Sequence, residues 1–481
     1  MAPEFSSPQR RRALIVCLAV TALTVLDVTK ANVALPSIEA ALGASSTELQ
    51  LIISGYVLAF GLALVPAGRL GDQRSRRLLF IVGLSIFTAM SLLCALAPTS
   101  EALLVARFAQ GVGAGIQSPQ VLGLLQTIFR GPERAKAFGA FGVTVGIAMA
   151  IGPTLGGLAI VIGGPQDGWR GIFFMNVPLG LTILALAVWA LPRLPRGAPA
   201  ALDMDPVGLS LLGVAVLGLM WPFLFTTGSP DDDPARWWVL LVSGAAVLAL
   251  ARWERRYAAA GRRPILPPGL LRTPSYRNGI ALGTAYFAAN PCLLLLTSLY
   301  LQQGTGLAPV FAGMVSISFA LMNAVAAWLG SRVVNRIGRP LVVVGLTIVL
   351  LGATLLVLGV FLTPAPVTPW VLVGAMAVTG AGGGLVMSPN QTLTLAAVPT
   401  EQAGLAGSVG QLGQRIGGSI GTAVALAFFY STVYRESGAV VTADRAVYQH
   451  SYLIGMLAAA AFVAVALAIG IADVRTRRRR L

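Results

Sequence analysis

The chain contains 481 residues, of which 56% are hydrophobic and 11% are charged. A water-soluble domain needs a more charged surface, so this composition excludes an ordinary soluble protein and predicts a polytopic membrane protein. The net charge of +16 does not indicate nucleic-acid binding, because the arginines cluster in short segments between apolar runs, as they do in cytoplasmic loops. The cysteines lie inside apolar runs without metal-type spacing, which predicts free thiols and no metal site.

The apolar segments are long enough to cross a bilayer as helices, which rise about 1.5 Å per residue. They lie at about 13–36, 48–68, 78–97, 101–122, 137–162, 171–191, 206–226, 237–252, 278–301, 309–331, 340–362, 370–390, 404–430 and 451–473. The total of fourteen is even, and Lys and Arg concentrate in alternate connections. This predicts a multi-pass protein of the cell membrane with both termini in the cytoplasm. A cleavable signal peptide is disfavoured, because the first run is too long and is interrupted by Asp27.

Two similar blocks of spans make up most of the chain. GRLGDQRSRR follows the second span and SRVVNRIGRP follows the tenth, so that Asp72 aligns with Asn335 and Arg76 with Arg339. This recurrence indicates an internal duplication, as in transporters whose two halves move against each other. The predicted order is a six-helix bundle (1–191), two additional helices (192–253), a cytoplasmic linker (254–277), a second six-helix bundle (278–473) and a basic cytoplasmic tail (474–481).

Asp27 and Lys30 lie deep inside the first span, where a charge is costly unless it faces protein, water or an opposite charge. Positions three apart share a helix face, so we expect a polar stripe from Thr24 to Ala34 that faces a cavity. Arg107 lies roughly 9 Å below the outer end of its span and Asp27 roughly 13 Å below the outer end of the first, so the two can meet. This predicts a proton-coupling site of Asp27, Arg107 and Lys30. The role of the lysine stays open between a direct ion pair with Asp27, an exchange partner and a contact to an anionic group.

Six motifs resemble those of one transporter family, in the same order. LDVTKANVALPSI is similar to its first-helix motif, GRLGDQRSRR to its loop signature, LLVARFAQGVGAG to its fourth-helix motif and GIAMAIGPTLGG to its antiporter motif, while WRGIFFMNVPLG and GGGLVMSPN also fit. On these motifs the chain resembles the major facilitator superfamily, within the fourteen-helix drug:proton antiporters. The resemblance implies an all-α fold of two six-helix bundles plus two central helices. It also implies a secondary transporter that exports small amphiphilic molecules, such as drugs or antibiotics, in exchange for protons by rocker-switch alternating access.

Two groups of residues are candidates for gating. In the repeated turns, ion pairs and helix-end contacts can latch the inner side, and the alternative is an ordinary positively charged turn. In the fifth span, glycines beside a proline allow close packing, and the resemblance implies a helix-bending seal. The candidates are Gly68, Asp72, Arg76, Asn335, Arg339, Gly152, Pro153, Gly156 and Gly157.

Polar and aromatic residues inside spans of both blocks are candidates for substrate binding, although most residues of this kind join helices to one another. They are Tyr56, Gln110, Gln117, Tyr286, Asn290, Asn323, Asn390, Gln411 and Arg415. Three cations at mid-membrane depth, Lys30, Arg107 and Arg415, outnumber the one carboxylate there. We therefore expect a cavity that favours neutral, zwitterionic or anionic amphiphiles over permanent cations.

The sequence contains no phosphate-binding loop, metal-ligand cluster or nucleophile–base pair, so we expect a transporter rather than an enzyme. Duplicated halves around one central acid fit alternating access better than a channel. A carrier with other cargo stays open: a lipid or lipid-precursor flippase, or a dedicated exporter of one endogenous, including anionic, metabolite. We expect no cofactor, because the proton gradient supplies the energy. The expected partners of this predicted monomer are a small amphiphilic substrate, protons and membrane lipids, without nucleic acid.

Overall fold

The computed structural model describes residues 6–192, 205–226, 232–262, 264–265, 268–437 and 444–478. All regular secondary structure in these residues is helical. Most of the segment that precedes the two predicted additional helices, 193–204, and the end of the predicted basic tail, 479–481, lie outside the described residues.

The first six long helices follow one another through short connections. They are α1 (Ser7–Leu42), α2 (Ser46–Gln73), α3 (Arg76–Leu96), α4 (Ser100–Ile128), α5 (Gly131–Phe174) and α6 (Asn176–Ala190). Helix α5 is kinked at Gly164, whose φ of 79° and ψ of 173° are not helical, and its part after the kink forms one candidate span with α6. The two additional helices and a short one come next, as α7 (Pro206–Leu224), α8 (Val239–Ala259) and α9 (Pro268–Arg272). The last six are α10 (Pro274–Leu299), α11 (Pro309–Ile337), α12 (Arg339–Leu362), α13 (Thr368–Ala396), α14 (Ala403–Ser437) and α15 (Arg445–Arg478).

Thirteen helical segments in the described part of the chain are long and apolar enough to cross a membrane, judged by length and composition. Helix α4 is not among them, although its 29 residues exceed the bilayer requirement, because Arg107 and several glutamines lower its hydropathy. With α4 the count equals the fourteen predicted spans. The predicted all-α polytopic fold is confirmed.

Several helices extend beyond the apolar segments that predicted them. Helix α1 continues through Pro36 to Leu42 and ends at Gly43, which adopts a φ of 63° that a residue without a Cβ tolerates well. The predicted linker 254–277 begins inside α8 and ends inside α10. These differences have one cause: backbone hydrogen bonds continue a helix where apolar side chains stop.

The chain forms two compact units. The first comprises Met1–Gly213, Ala249–Leu270 and Val398–Leu412, and the second comprises Val214–Leu248, Leu271–Ala397 and Gly413–Leu481. The first unit has a buried apolar cluster that includes Leu103, Trp169 and Phe173. The second has a cluster that includes Phe319 and Tyr452. Each unit therefore has its own apolar core.

Helix packing repeats between the two six-helix blocks. In the first block, α2 and α3 pack against α4, while α1 and α3 pack against α6. In the second block, α11 and α12 pack against α13, while α10 and α12 pack against α15. The same pairs of positions are therefore in contact in both blocks, which supports the duplication predicted from the repeated turns.

Glycines allow the closest of these contacts. A Cβ at Gly115 in α4 would stand 2.6 Å from the carbonyl oxygen of Phe60 in α2, and a Cβ at Gly384 in α13 would overlap the carbonyl of Asn323 in α11. A second glycine four residues earlier in each helix makes the same kind of contact. Small residues with this spacing let two spanning helices approach until their backbones touch. The second and fourth helices of both blocks therefore cross through matching glycine pairs.

Replacing Gly384 with Val should destabilise the fold, because the added side chain must push α13 away from the α11 backbone. We expect a loss of about 1–3 kcal/mol, the usual cost of overpacking, seen as a lower midpoint of thermal unfolding in detergent. Gly374→Val is the matched control, since Gly374 lies on the same helix with nothing within 4 Å of its Cβ position. Equal midpoints for the two variants would contradict this account of the crossing.

Candidate functional site

The carboxylate of Asp27 in α1 is completely enclosed, with 0% of the residue exposed. Its Oδ2 accepts a hydrogen bond from Arg107 Nη1 in α4 at 2.8 Å, forming a buried ion pair. Its Oδ1 accepts from Gln110 Nε2 at 3.1 Å and from Asn176 Nδ2 at 2.6 Å. The contact between Asp27 and Arg107 that their depths predict is therefore present.

Arg107 is held on several sides. It shares a face of α4 with Gln110, three residues on, and Arg107 Nη1 also donates to Gln110 Oε1 at 2.7 Å. Gln110 Nε2 in turn donates to Ser91 Oγ in α3 at 2.7 Å. The Arg107 Cζ atom lies 4.3 Å from the ring centroid of Tyr56 in α2 and 5.5 Å from that of Phe173 in α5. The guanidinium is thus stabilised by a carboxylate and by the faces of two rings.

Lys30 follows Asp27 on the same face of α1 and is 1% exposed. Its Nζ donates to Asn176 Oδ1 at 2.9 Å, and within the described residues it makes no ion pair with a carboxylate. The direct ion pair with Asp27, one of the three predicted roles, is therefore absent, because the Asn176 amide bonds to both side chains. Sequence reasoning did not single out Asn176, although an asparagine inside the apolar run WRGIFFMNVPLG was a signal that could have found it.

The sequence predicted that the polar stripe of α1 faces a cavity, whereas Asp27 and Lys30 are buried against neighbouring helices and Thr24 is half-buried. Thr24 Oγ1 accepts from Gln117 Nε2 in α4 at 3.0 Å, and Asp27 and Lys30 bond to α4 and α6. The physical reason is that a buried charge needs polar partners, and these helices supply them. With 2% of Arg107 exposed, it and Lys30 are also not the cavity charges that the predicted preference for anionic cargo assumed.

A second charged cluster joins the end of α2 to the start of α14. Asp72 Oδ1 accepts from the Gly404 amide at 3.0 Å, and Oδ2 accepts from the Leu405 amide at 2.8 Å. These amides belong to the first turn of α14, where unpaired N–H groups and the helix dipole attract an anion. Arg76 Nη2 donates to Asp72 Oδ1 at 2.7 Å. Gly68, one turn earlier, leaves no room for a side chain, since its Cβ would stand 2.8 Å from the Gly404 carbonyl oxygen.

The aligned turn of the second block is built differently. Arg339 is 3% exposed, and its Nε lies 3.0 Å from Asp473 Oδ2 in α15. Asn335, which aligns with Asp72, is exposed. A buried guanidinium needs an anion, and because an asparagine cannot provide one, α15 does. Asp473 was missed because it is distant in sequence from the turn, and the predicted symmetry of the two turns holds for the arginine alone.

The predicted glycines of α5 differ in their surroundings. A Cβ at Gly152 would overlap Thr29 in α1, and a Cβ at Gly156 would stand 3.2 Å from the Lys30 carbonyl oxygen. Gly157 has nothing within 4 Å of its Cβ position. The helix continues through Pro153 without a break in its dihedral angles. Two of the three glycines therefore bring α5 against the part of α1 that contains the charged residues.

Three of the predicted substrate-binding residues are connected in the second unit, two of them at Gly383 and the third through Tyr286. Tyr286 Oη donates to Asn290 Oδ1 in α10 at 3.4 Å. A Cβ at Gly383 in α13 would stand 2.5 Å from Tyr286 Oη and 2.8 Å from Asn323 Nδ2 in α11. The structure thus groups Tyr286, Asn290 and Asn323, which we call the Tyr286 group.

The other predicted substrate-binding residues lie elsewhere. Tyr56 and Gln110 belong to the surroundings of Arg107, and Gln117 bonds to Thr24. Asn390 Oδ1 accepts from Arg339 Nη1, and Gln411 Oε1 accepts from Ser118 Oγ at 2.7 Å. Arg415 is half-buried in α14, and its carbonyl accepts from Ser419 Oγ at 3.0 Å. They do not form a single group.

Comparison with known proteins agrees with this architecture. The family model of the Major Facilitator Superfamily matches residues 17–422. The probable actinorhodin transporter of Streptomyces coelicolor is 34% identical over 438 residues, which cover 90% of this chain and 75% of that protein. The multidrug resistance protein Stp of Mycobacterium tuberculosis is 32% identical over 407 residues, which cover 83% of this chain and 72% of that protein.

A solved structure with a similar fold is that of the proton:xylose symporter XylE bound to 6-bromo-6-deoxy-D-glucose. The TM-score is 0.63 at 14% sequence identity, with 95% of each chain covered. At this identity the similarity concerns the fold alone. The family model, the helices long enough to span a membrane and the related transporters agree with one another. The chain belongs to the Major Facilitator Superfamily and is a multi-pass membrane transporter rather than an enzyme.

Proposed function

We propose that this protein exports small amphiphilic molecules, such as antibiotics, in exchange for protons, from a cell membrane in which both termini face the cytoplasm. The observation that supports this most is the enclosed carboxylate of Asp27, paired with Arg107 among membrane-spanning helices. An ionisable acid at that depth is costly and is a functional candidate by default. The names of the two relatives, an actinorhodin transporter and a multidrug resistance protein, support antibiotics as the class of cargo.

The position of Asp27 supports proton exchange. Because Asp27 is 0% exposed, it reaches water only when α1 moves relative to α4 or α6. Protonation also removes the anion that offsets the buried Arg107, at a cost of about 3–5 kcal/mol for a broken buried pair. Each protonation state thus favours a different arrangement of these helices, which an antiporter requires.

The cluster at Asp72 and Arg76 acts as the latch in this proposal. It holds the first turn of α14 through two amide hydrogen bonds, and breaking them leaves a buried carboxylate and two unpaired N–H groups. Such contacts form in one state of a rocker-switch cycle and open in the other. The tight approach of Gly68 makes the bound state possible.

The Tyr286 group is our candidate for contact with the cargo. It combines an aromatic ring with two amides, the mixture of apolar surface and a few polar groups that binds amphiphilic molecules. Tyr286 and Asn323 are 3% and 7% exposed and are thus enclosed in this state, as Lys30 and Arg107 are, so cargo reaches the Tyr286 group only when helices move.

Asp27→Asn should abolish proton-driven transport, because the amide cannot take up and release the proton. We would measure dye or drug accumulation and proton movement in proteoliposomes with an imposed pH gradient, using ethidium as a cation, chloramphenicol as a neutral probe and carboxyfluorescein as an anion. We expect the wild-type protein to transport at least one of the three probes. We expect Asp27→Asn to transport no more of that probe than protein-free liposomes take up.

Glu101→Gln is the control for Asp27, since Glu101 is an exposed carboxylate of α4, and it should transport as the wild type does. Because Asp27→Asn leaves Arg107 without its carboxylate, size-exclusion chromatography must show a folded variant. Wild-type proton movement in folded Asp27→Asn would remove Asp27 from the mechanism.

Asp72→Asn should weaken the latch, because an amide oxygen attracts the α14 helix start and Arg76 less than a carboxylate does. We expect a loss of about 1–3 kcal/mol in stability, measured as a lower thermal unfolding midpoint. Asp167→Asn is the matched control: its side chain is 74% exposed and pairs with Arg170 near the surface, so its loss should change stability by about 0.5 kcal/mol or less. Equal effects of the two substitutions would argue against a special role of Asp72.

A further inference from the structure

Asn176 connects the two charged residues of α1. It opens α6 and is 0% exposed. Its Nδ2 donates to Asp27 Oδ1 at 2.6 Å, and its Oδ1 accepts from Lys30 Nζ at 2.9 Å. A carboxylate only accepts and an ammonium only donates, so this orientation of the amide is the one that satisfies both neighbours. Two opposite charges therefore determine how Asn176 is placed.

The charge of Lys30 reaches Asp27 through this amide. Arg107 touches Asp27 directly at 2.8 Å, whereas the ammonium of Lys30 bonds to the far end of the Asn176 side chain. Hydrogen bonds in series polarise one another, so a cation on the amide oxygen strengthens donation from the amide nitrogen. Two cations thus stabilise one carboxylate, the first by contact and the second through Asn176.

The hydrogen bond that places Lys30 must in turn depend on the charge of Asp27. With Asp27 ionised, the cluster has two cations and one anion. With Asp27 protonated, Lys30 and Arg107 remain buried without an anion between them, which is unfavourable. Because linkage is reciprocal, whatever holds Lys30 also changes the pH at which Asp27 ionises.

The other groups around Asp27 do not provide this connection. From α4, Arg107 forms the ion pair, and from α2, Tyr56 covers the Arg107 guanidinium. From α3, Cys94 Sγ lies 3.7 Å from Gln110 Oε1. Helix α5 meets this part of α1 through glycines. Among the described contacts, the amide of α6 is what joins the lysine to the carboxylate.

We propose that Asn176 is a positioning residue that links Lys30 to Asp27, so that protonation of Asp27 and the placement of Lys30 change together. The link gives Lys30 a role in the proposed proton exchange and rests on it. Because Asn176 Nδ2 donates directly to Asp27 Oδ1, loss of the amide by itself changes the pH at which Asp27 ionises. The link to Lys30 is therefore tested by whether the effects of the Asn176 and Lys30 substitutions overlap.

The test reads the ionisation of Asp27 directly in the purified full chain. The infrared band of its carboxylic acid, identified by its absence in Asp27→Asn, is followed against pH. In Asn176→Leu and in Lys30→Met the band should be half-formed about one pH unit higher than in the wild type, a tenfold rise in proton affinity. The double variant should shift no further, because both changes break the same link.

A second variant covers the case in which Asn176→Leu does not fold. Lys30→Gln leaves Asn176 in place and keeps a donor for its Oδ1 but removes the charge, so the midpoint should still rise. Gln120→Leu is the matched control, a buried amide that donates to the carbonyls of Ala67 and Ile116, and it should leave the midpoint unchanged.

An unchanged midpoint in folded Lys30→Met and Lys30→Gln, or additive shifts in the double variant, would overturn the link. The infrared band needs no substrate. If the proposed transport fails, the proteoliposomes show no transport but the midpoint of the band still shifts in the variants. If the link is absent, the midpoint does not behave as predicted, whatever the proteoliposomes show.

Discussion

The ion pair between Asp27 and Arg107 constrains how α1 and α4 pack in the first unit. Neither side chain reaches solvent, so the free energy that water would supply must come from protein groups. The carboxylate obtains it from Arg107, Gln110 and Asn176, which requires α1, α4 and α6 to meet at one depth. Glycines of α5 complete the enclosure by approaching α1 at the same level. Charge and packing therefore depend on each other here.

The same requirement explains how the duplicated blocks diverged. Both have a buried arginine at the start of their third helix, Arg76 and Arg339, and a buried guanidinium needs a carboxylate nearby. In the first block Asp72 supplies it from the adjoining turn and also caps the first turn of α14. In the second block the turn has lost its acid, and Asp473 of α15 provides the anion. The arginines are equivalent, while their partners are not.

In the proposed transport cycle, proton exchange and cargo contact belong to different clusters. Asp27, Lys30 and Arg107 of the first unit are held away from solvent by hydrogen bonds. The Tyr286 group of the second unit is polar without a formal charge and is the proposed contact for an amphiphile. A carrier built in this way can couple protons to cargo without direct contact between them, because both act on the positions of helices.

Sequence alone determined the spans, the duplication and the family, because apolar length, repeated turns and motif order are local properties of the chain. It also placed Asp27 and Arg107 at compatible depths, since the rise per residue of a helix is constant. Only the tertiary structure decided that Asn176 lies between Asp27 and Lys30, that Asp473 replaces the missing acid of the second turn, and that the charged stripe is enclosed. These contacts join residues far apart in the chain. They depend on how each helix is rotated about its axis against its neighbours, which apolar spans with weak periodicity leave open.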